Sequence, residues 1–314
     1  PIHSSAASDV YKRQTEAMVS LTPQQELFFD TFGFLLLKRH IPKEELSSID
    51  DNFQRAMQKT FPHDPGGKGS FDPQAMPAGA DKRGIVVRYR DASRLNLNRL
   101  FMDEDTPELA ALADGPWFTP VAEQLLPRGV ICTQVVGHYR MGDTPWHVGN
   151  YYLRYTGVKF VAYLDPLNDS SGALRVIPDS HRNPLWQESR LSPNPEPDFG
   201  VPPTELPSHT IRSEPGDVIA FRHSLWHASF NGPDFRRMLE VNFYGDPHTP
   251  KIEQDFILQM KRNHQVAESL NRQFYPAFWR RPTSSRRIWW IERLRELGVL
   301  CLLYTSPSPR DNRV

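Results

Sequence analysis

The sequence predicts a mainly β protein of the sandwich or jelly-roll kind with flanking helices. Three observations carry this expectation. Short apolar runs follow one another between Val130 and Tyr244, with turn residues between them and no helical crossovers. Helical periodicity falls before residue 127 and after residue 249. Proline is abundant at 29 and glycine modest at 18, which suits loops and edge strands better than a helix bundle.

The elements follow in order. Thr22-Pro23-Gln24-Gln25 opens a helix: a Thr cap, Pro at the first helical position and Gln at the third. Leu27, Phe28 and Phe32 follow, Gly33 ends the helix, and Phe34 to Lys38 reads as a short buried strand. Residues 43–58 form a second helix, with Leu46, Ile49, Phe53 and Met57 on one stripe. Residues 62–83, rich in Gly, Pro and Asp, read as a long loop. Ile85 to Tyr89 is strand-like, 104–126 reads as one helix, and Val130 to Tyr139 as a long strand. Further strands are expected at Val158 to Leu164, Leu174 to Ile177, Val218 to Phe221 and Met238 to Tyr244. The segment 250–298 returns to helix as a C-terminal layer, and no internal repeat interrupts the chain.

The 314 residues, 39% of them hydrophobic, suffice for one large core, and a single domain over 20–298 is expected. Thirty-seven basic residues balance 37 acidic ones, which removes the electrostatic argument for nucleic acid binding. No run of eighteen apolar residues is present, so a spanning helix is excluded. Two cysteines, Cys132 and Cys301, cannot build a disulfide scaffold or a thiolate zinc site. The ends, 1–14 and 301–314, have no period and resemble translated library adapter. They are expected to be disordered, and the sequence does not fix the true C-terminus. With no signal peptide and few cysteines, a cytoplasmic setting is expected. The sequence carries no sign of an oligomeric state.

Two of the eleven histidines stand out. His147, in Asp143-Thr144-Pro145-Trp146-His147-Val148-Gly149-Asn150, follows the long strand. His227, in Ser224-Leu225-Trp226-His227-Ala228-Ser229, follows Pro215-Gly216-Asp217 and a strand. They lie eighty residues apart, each beside a Trp at a strand end. Two strand-end imidazoles on a double-sheet barrel can converge on one metal at its mouth. About ten residues past His227 come Arg236 and Arg237, and an arginine opening a strand can grip a carboxylate bidentately. Adjacent strand residues face opposite ways, so only one of the two can do so.

The blocks Gly157 to Pro166, Ser171 to Arg182, Pro215-Gly216-Asp217-Val218 and Leu225-Trp226-His227 resemble the phytanoyl-CoA dioxygenase family over roughly residues 30–245. The resemblance implies a double-stranded β-helix, cupin-like, that binds iron(II) and 2-oxoglutarate and oxidises a small molecule with O2. It implies His147 and His227 as iron ligands. Arg236 would be the grip on the far carboxylate of 2-oxoglutarate, with Ser229 assisting and Arg237 as the alternative.

The chain departs from the family pattern at one place. His-x-Asp is expected, and His147-Val148-Gly149 is found, with no Asp or Glu before Asp165 to substitute. Three readings follow. The protein is a hydroxylase in which water or a remote carboxylate fills the place, or in which Gly149 is a one-base error for Asp. Alternatively, it is a radical halogenase like the related iron/2-oxoglutarate halogenases, with chloride or bromide in the position that Gly149 leaves open. In the third reading the fold is a catalytically inactive binding module.

Other residues receive structural expectations. His181 stands in a turn, Trp146 and Trp226 in the core, and Arg175 in a salt bridge, while His138 and His223 are given no role. The basic, Trp-bearing run at 280–293 is expected to pack its Trp side on the body. Loop 62–83 and the Pro-dense segment 183–210 are expected to form the lid that selects the substrate.

Overall fold

The structure, a computed structural model, describes residues 20–61, 84–88, 95–126, 128–149, 157–182, 195–232, 235–269, 274–282 and 284–302. The expected loop 62–83, most of both tails and the first part of the expected lid, 183–194, lie outside the described residues.

The chain opens with helix α1 (Pro23–Phe32). Thr22 accepts from the Gln25 backbone, the Gln25 side chain returns the bond, and Gly33 closes the helix at φ 81°. Strand β1 (Phe34–Leu37) leads into α2 (Lys43–Thr60), whose Ile49, Phe53 and Met57 are buried as the stripe requires. Strands β2 (Gly84–Arg88) and β3 (Leu95–Leu100) pair with each other, and β3 pairs with β4 (Val130–Met141). Between them the expected helix 104–126 is two short ones, α3 (Pro107–Ala111) and α4 (Thr119–Leu125). Gly115-Pro116 divides them, since proline disfavours helix in the residue before it.

Strands β5 (Thr144–His147), β6 (Gly157–Tyr163), β7 (Leu174–Val176), β8 (His209–Ile211), β9 (Val218–Arg222), β10 (His227–Ser229) and β11 (Arg236–Gly245) complete the barrel. A short turn of helix, α5 (Glu196–Phe199), stands before β8. The C-terminal layer is α6 (Pro250–Ser269), α7 (Ser285–Glu296) and α8 (Val299–Leu302), with 274–282 non-helical. α8 covers the first two residues of the stretch expected to be a disordered tail.

All pairings are antiparallel, in a seven-stranded sheet of order β1-β9-β6-β11-β4-β3-β2 and a four-stranded sheet of order β5-β10-β7-β8. This is the expected jelly roll. Strand alternation sorts the side chains of the large sheet. Val158, Phe160, Ala162, Leu239, Val241 and Phe243 join the core shared with the helices. Phe53 of α2 meets Phe101 and Tyr139 edge-on there, at 5.6 and 5.5 Å between centroids. Trp290 of α7 is buried against Phe243 and stacks on Trp279, whereas Trp289 is exposed, so the helix does pack a Trp side on the body. On the opposite face Val161, Tyr163, Ile219, Phe221 and Met238 meet Leu174 and Val176 of the small sheet. The interior between the sheets holds the site. Among the described residues no helix is long and apolar enough to cross a membrane.

Candidate active site

β5 and β10 are neighbours in the small sheet, and His227 pairs in register with His147. Residues directly opposite on one face bring their Cβ atoms to roughly 5 Å, so register alone brings the two imidazoles together. Their ring centroids are 4.1 Å apart at an interplanar angle of 49°. The tryptophans before them are buried, and Trp146 lies behind the sheet with Ala228 and Phe230. Trp146 donates from Nε1 to Pro203 O at 2.8 Å, which ties the strand to the 195–210 segment.

Both imidazoles are held in the same tautomer. His147 Nδ1 donates to Pro145 O and His227 Nδ1 to Leu225 O, each at 2.8 Å. A carbonyl oxygen only accepts, so the proton sits on Nδ1 and the lone pair on Nε2. Burial pushes His147 down to about 4. Burial, then His147, hold His227 well below its ordinary value. Both rings are therefore neutral near pH 7. Two neutral imidazoles, each with its second nitrogen fixed by a backbone carbonyl, suit an iron(II)-type metal.

Arg236 and Arg237 point to opposite sides of β11. Arg236 is buried and lines the same cavity as the histidines. Its Nη2 donates to Gly142 O at 2.8 Å and to Ser229 Oγ at 3.4 Å, and its buried Nη1 has no hydrogen-bond partner among the described residues. Gly172 and Gly232 make the cradle, since a Cβ at either would fall within the envelope of Nη1. Arg237 instead donates to both Asp165 oxygens, to Leu164 O and to Asp50. It is a half-buried strut between strand and helix and does not reach the interior.

Gly149 follows β5, and its N–H donates to His223 O at 2.8 Å. A Cβ there would stand 3.3 Å from His223 Nδ1 and from His223 O, so a side chain needs a shift of a few tenths of an ångström. Among the described residues no three His, Cys, Asp or Glu side chains converge to hold a metal. Glu240 does line the cavity. Its carboxylate, though, takes Lys159 Nζ at 3.1 Å and Asn242 Nδ2 at 2.8 Å, with His138 Nε2 at 3.5 Å. Burial works to raise Glu240, but Lys159 and His138 outweigh it and hold the group well below the usual carboxylate range. No remote carboxylate among these residues takes the place of the one Gly149 lacks.

Lys159, Glu240 and Arg140, which line this cavity, were not singled out from the sequence. A signal exists for Glu240: Leu239-Glu240-Val241-Asn242 places a polar residue at every second position, as Leu95-Asn96-Leu97-Asn98 does on β3. Arg175 faces the other way. It donates to Thr204 O at 2.8 Å and stands over the Phe230 ring in place of the expected salt bridge. His138, His181 and His223 are all buried.

Comparison with known proteins agrees with this architecture. A family model described as phytanoyl-CoA dioxygenase (PhyH) matches residues 29–238. No curated protein sequence matches the chain. Among solved structures, AviO1 from Streptomyces viridochromogenes Tue57 is similar at a TM-score of 0.55 and 16% identity, covering 74% of this chain and 99% of that one. The non-heme alpha-ketoglutarate-dependent epimerase SnoN from nogalamycin biosynthesis is similar at 0.54 and 13%, covering 73% and 85%. EctD from S. alaskensis, solved with 2-oxoglutarate and 5-hydroxyectoine, is similar at 0.51 and 18%, covering 72% and 77%.

Proposed function

The chain belongs to the phytanoyl-CoA dioxygenase family, and from that premise we propose that it is an iron(II)- and 2-oxoglutarate-dependent oxygenase hydroxylating an aliphatic C–H bond of a small molecule, with release of succinate and CO2. The observation that carries the reading is the in-register pair His147 and His227, each with Nδ1 spent on a carbonyl and Nε2 left as a ligand.

In this reading His147 and His227 hold the iron. Arg236, steadied by Ser229 and Gly142, takes the far carboxylate of 2-oxoglutarate on its free Nη1. Iron(II) with 2-oxoglutarate supplies the chemistry, turning O2 into an oxidant for the substrate C–H bond. The chain orients the reactants and excludes water. Tyr163, Leu174, Phe221 and Met238 form the apolar wall of the cavity and fix where the substrate carbon can lie. A cytoplasmic setting belongs to the same proposal.

A second reading, radical halogenation, is favoured by one observation: Gly149 offers no ligand, and no other acid among the described residues joins the two histidines. A chloride or bromide ion would then occupy the open position, and the substrate carbon would receive the halogen.

Anaerobic titration with iron(II) and 2-oxoglutarate tests the proposal. A weak visible band near about 500 nm, set by the chelate itself, is expected, followed by succinate release when O2 is admitted. Chloride shifts that band if a coordination position is open, and leaves it unmoved if the hydroxylase reading holds with water tightly in place. Absence of any band would sink the enzyme reading in favour of an inactive module.

A further inference from the structure

From the inner face of the large sheet we infer the substrate class: a small anionic molecule bearing hydroxyl or amino groups, with its anion on Arg140 and its hydrogen-bonding groups on Asn96 and Asn98. The inference rests on the oxygenase reading of the same cavity and adds to it what the cavity accepts.

The register sets the residues in line. Arg140 of β4 lies opposite Asn96 of β3 on one side and opposite Arg236 of β11 on the other. His138 lies opposite Asn98 and Met238 in the same way. Two arginines directly across a strand pair repel each other unless an anion lies between them or beside them. No acid is hydrogen-bonded to either among the described residues; Asp143 acts on Arg236 and Glu240 on Arg140 only at longer range. Arg140 Nε, Asn96 Oδ1, Asn98 Oδ1 and His138 Nδ1 are all buried, with no hydrogen-bond partner among the described residues. Buried polar atoms are normally satisfied, so a row of unsatisfied ones on one face marks where partners are to come from outside the chain.

Charge gives the same answer. The cavity lining holds Arg140, Lys159 and Arg236 against Glu240 alone, and Glu240 is committed to Lys159. A bound iron(II) and a bound 2-oxoglutarate dianion cancel each other. The excess positive charge remains, and a substrate carboxylate or phosphate would neutralise it. An aliphatic acyl chain laid over this face would leave the buried Arg140 Nε, Asn96 Oδ1 and Asn98 Oδ1 without partners, which is the costly case.

The probes are inorganic phosphate and glycerol 1-phosphate. They are titrated under argon into the enzyme already loaded with iron(II) and 2-oxoglutarate, so that Arg236 is occupied. Calorimetry is expected to show phosphate binding that weakens at least tenfold in Arg140→Gln and stays within threefold in Arg140→Lys, with 2-oxoglutarate affinity unchanged in both. Glycerol 1-phosphate is expected to bind at least threefold more tightly than phosphate, and to lose that margin in Asn98→Leu. Three results overturn the inference: no phosphate binding to the loaded wild-type enzyme, equal binding in Arg140→Gln, or a parallel loss of 2-oxoglutarate affinity, which would assign Arg140 to the co-substrate. Equal affinity for the two probes removes the hydroxyl part. If the oxygenase reading itself is wrong, the loading step fails first, with no visible band in the wild type.

Discussion

The Lys159 ammonium lies 3.1 Å from the Glu240 carboxylate, diagonally across β6 and β11, on the face that looks into the barrel. Both side chains are almost wholly withdrawn from solvent. Removing one partner of such a pair leaves an uncompensated buried charge, at a cost of about 3–5 kcal/mol. Lys159→Met is expected to lose that much stability in urea unfolding, and Lys159→Met with Glu240→Leu much less. A single variant that unfolds at the wild-type midpoint would show that the pair does not stabilise the join between β6 and β11.

Stability is expected to fall with acid well before the carboxylates titrate. Burial, then Arg140, push His138 down to about 4. Burial, then Lys159, push His223 down to about 3. The unfolded chain has ordinary imidazoles near pH 6.5, so below that pH it binds protons the folded chain refuses. Stability therefore decreases as pH drops from about 6.5, by about 1.4 kcal/mol per pH unit for each such ring, and is level above it. Glu240, held low, adds its own loss only below its ordinary range near pH 4.5. Melting temperatures of the metal-free protein from pH 8 to pH 5 check this. A flat profile would contradict the burial of these rings.

Gly232→Ala is expected to act on co-substrate binding and not on metal binding. The added Cβ falls on Arg236 Nη1 and forces the guanidinium out of its cradle. The Kd for 2-oxoglutarate should rise at least about tenfold, equivalent to about 1.4 kcal/mol, with iron(II) affinity retained. Arg237→Ala is the control. It removes the struts to Asp50 and Asp165, costs about 1–3 kcal/mol of stability and leaves 2-oxoglutarate binding as it was. The opposite pattern would exchange the assignments of the two arginines.

Gly149→Asp should be tolerated by the fold, since its backbone is not in the left-handed region and His223 need yield only a few tenths of an ångström. Iron(II) affinity should tighten by about tenfold or more as a carboxylate joins the two imidazoles. Chloride should cease to affect the visible band. Product analysis then separates the chemistries: hydroxylation gained marks the glycine as a defect, and a halogenated product lost marks the open position as the working state.

Much of the site is legible because the longer strands that precede His147 and His227 are bounded by turn residues, and because each histidine stands beside a tryptophan. Other parts were hidden for physical reasons. β5, β8 and β10 are only three or four residues long, too short for a period to declare itself. β3 alternates cleanly as Leu-Asn-Leu-Asn, and such alternation ordinarily means one face in water. Here the polar face turns toward the interior of a barrel. The choice between Arg236 and Arg237 needs the starting parity of β11, which a strand opening on two adjacent arginines does not reveal. The break at Gly115-Pro116 is written in the residues, since the position before a proline is disfavoured in helix.

The pairing of β5 with β10 has a consequence for how this chain tolerates change. Sliding β5 by one position would exchange inside for outside, bringing the Trp146 indole into the chamber and sending the His147 ring to the rear. A deletion anywhere in the short turn between β4 and β5 would thus disarm the protein at once, even where the barrel still closed. Reactivity and strand alignment are here inherited together, and neither can drift without the other.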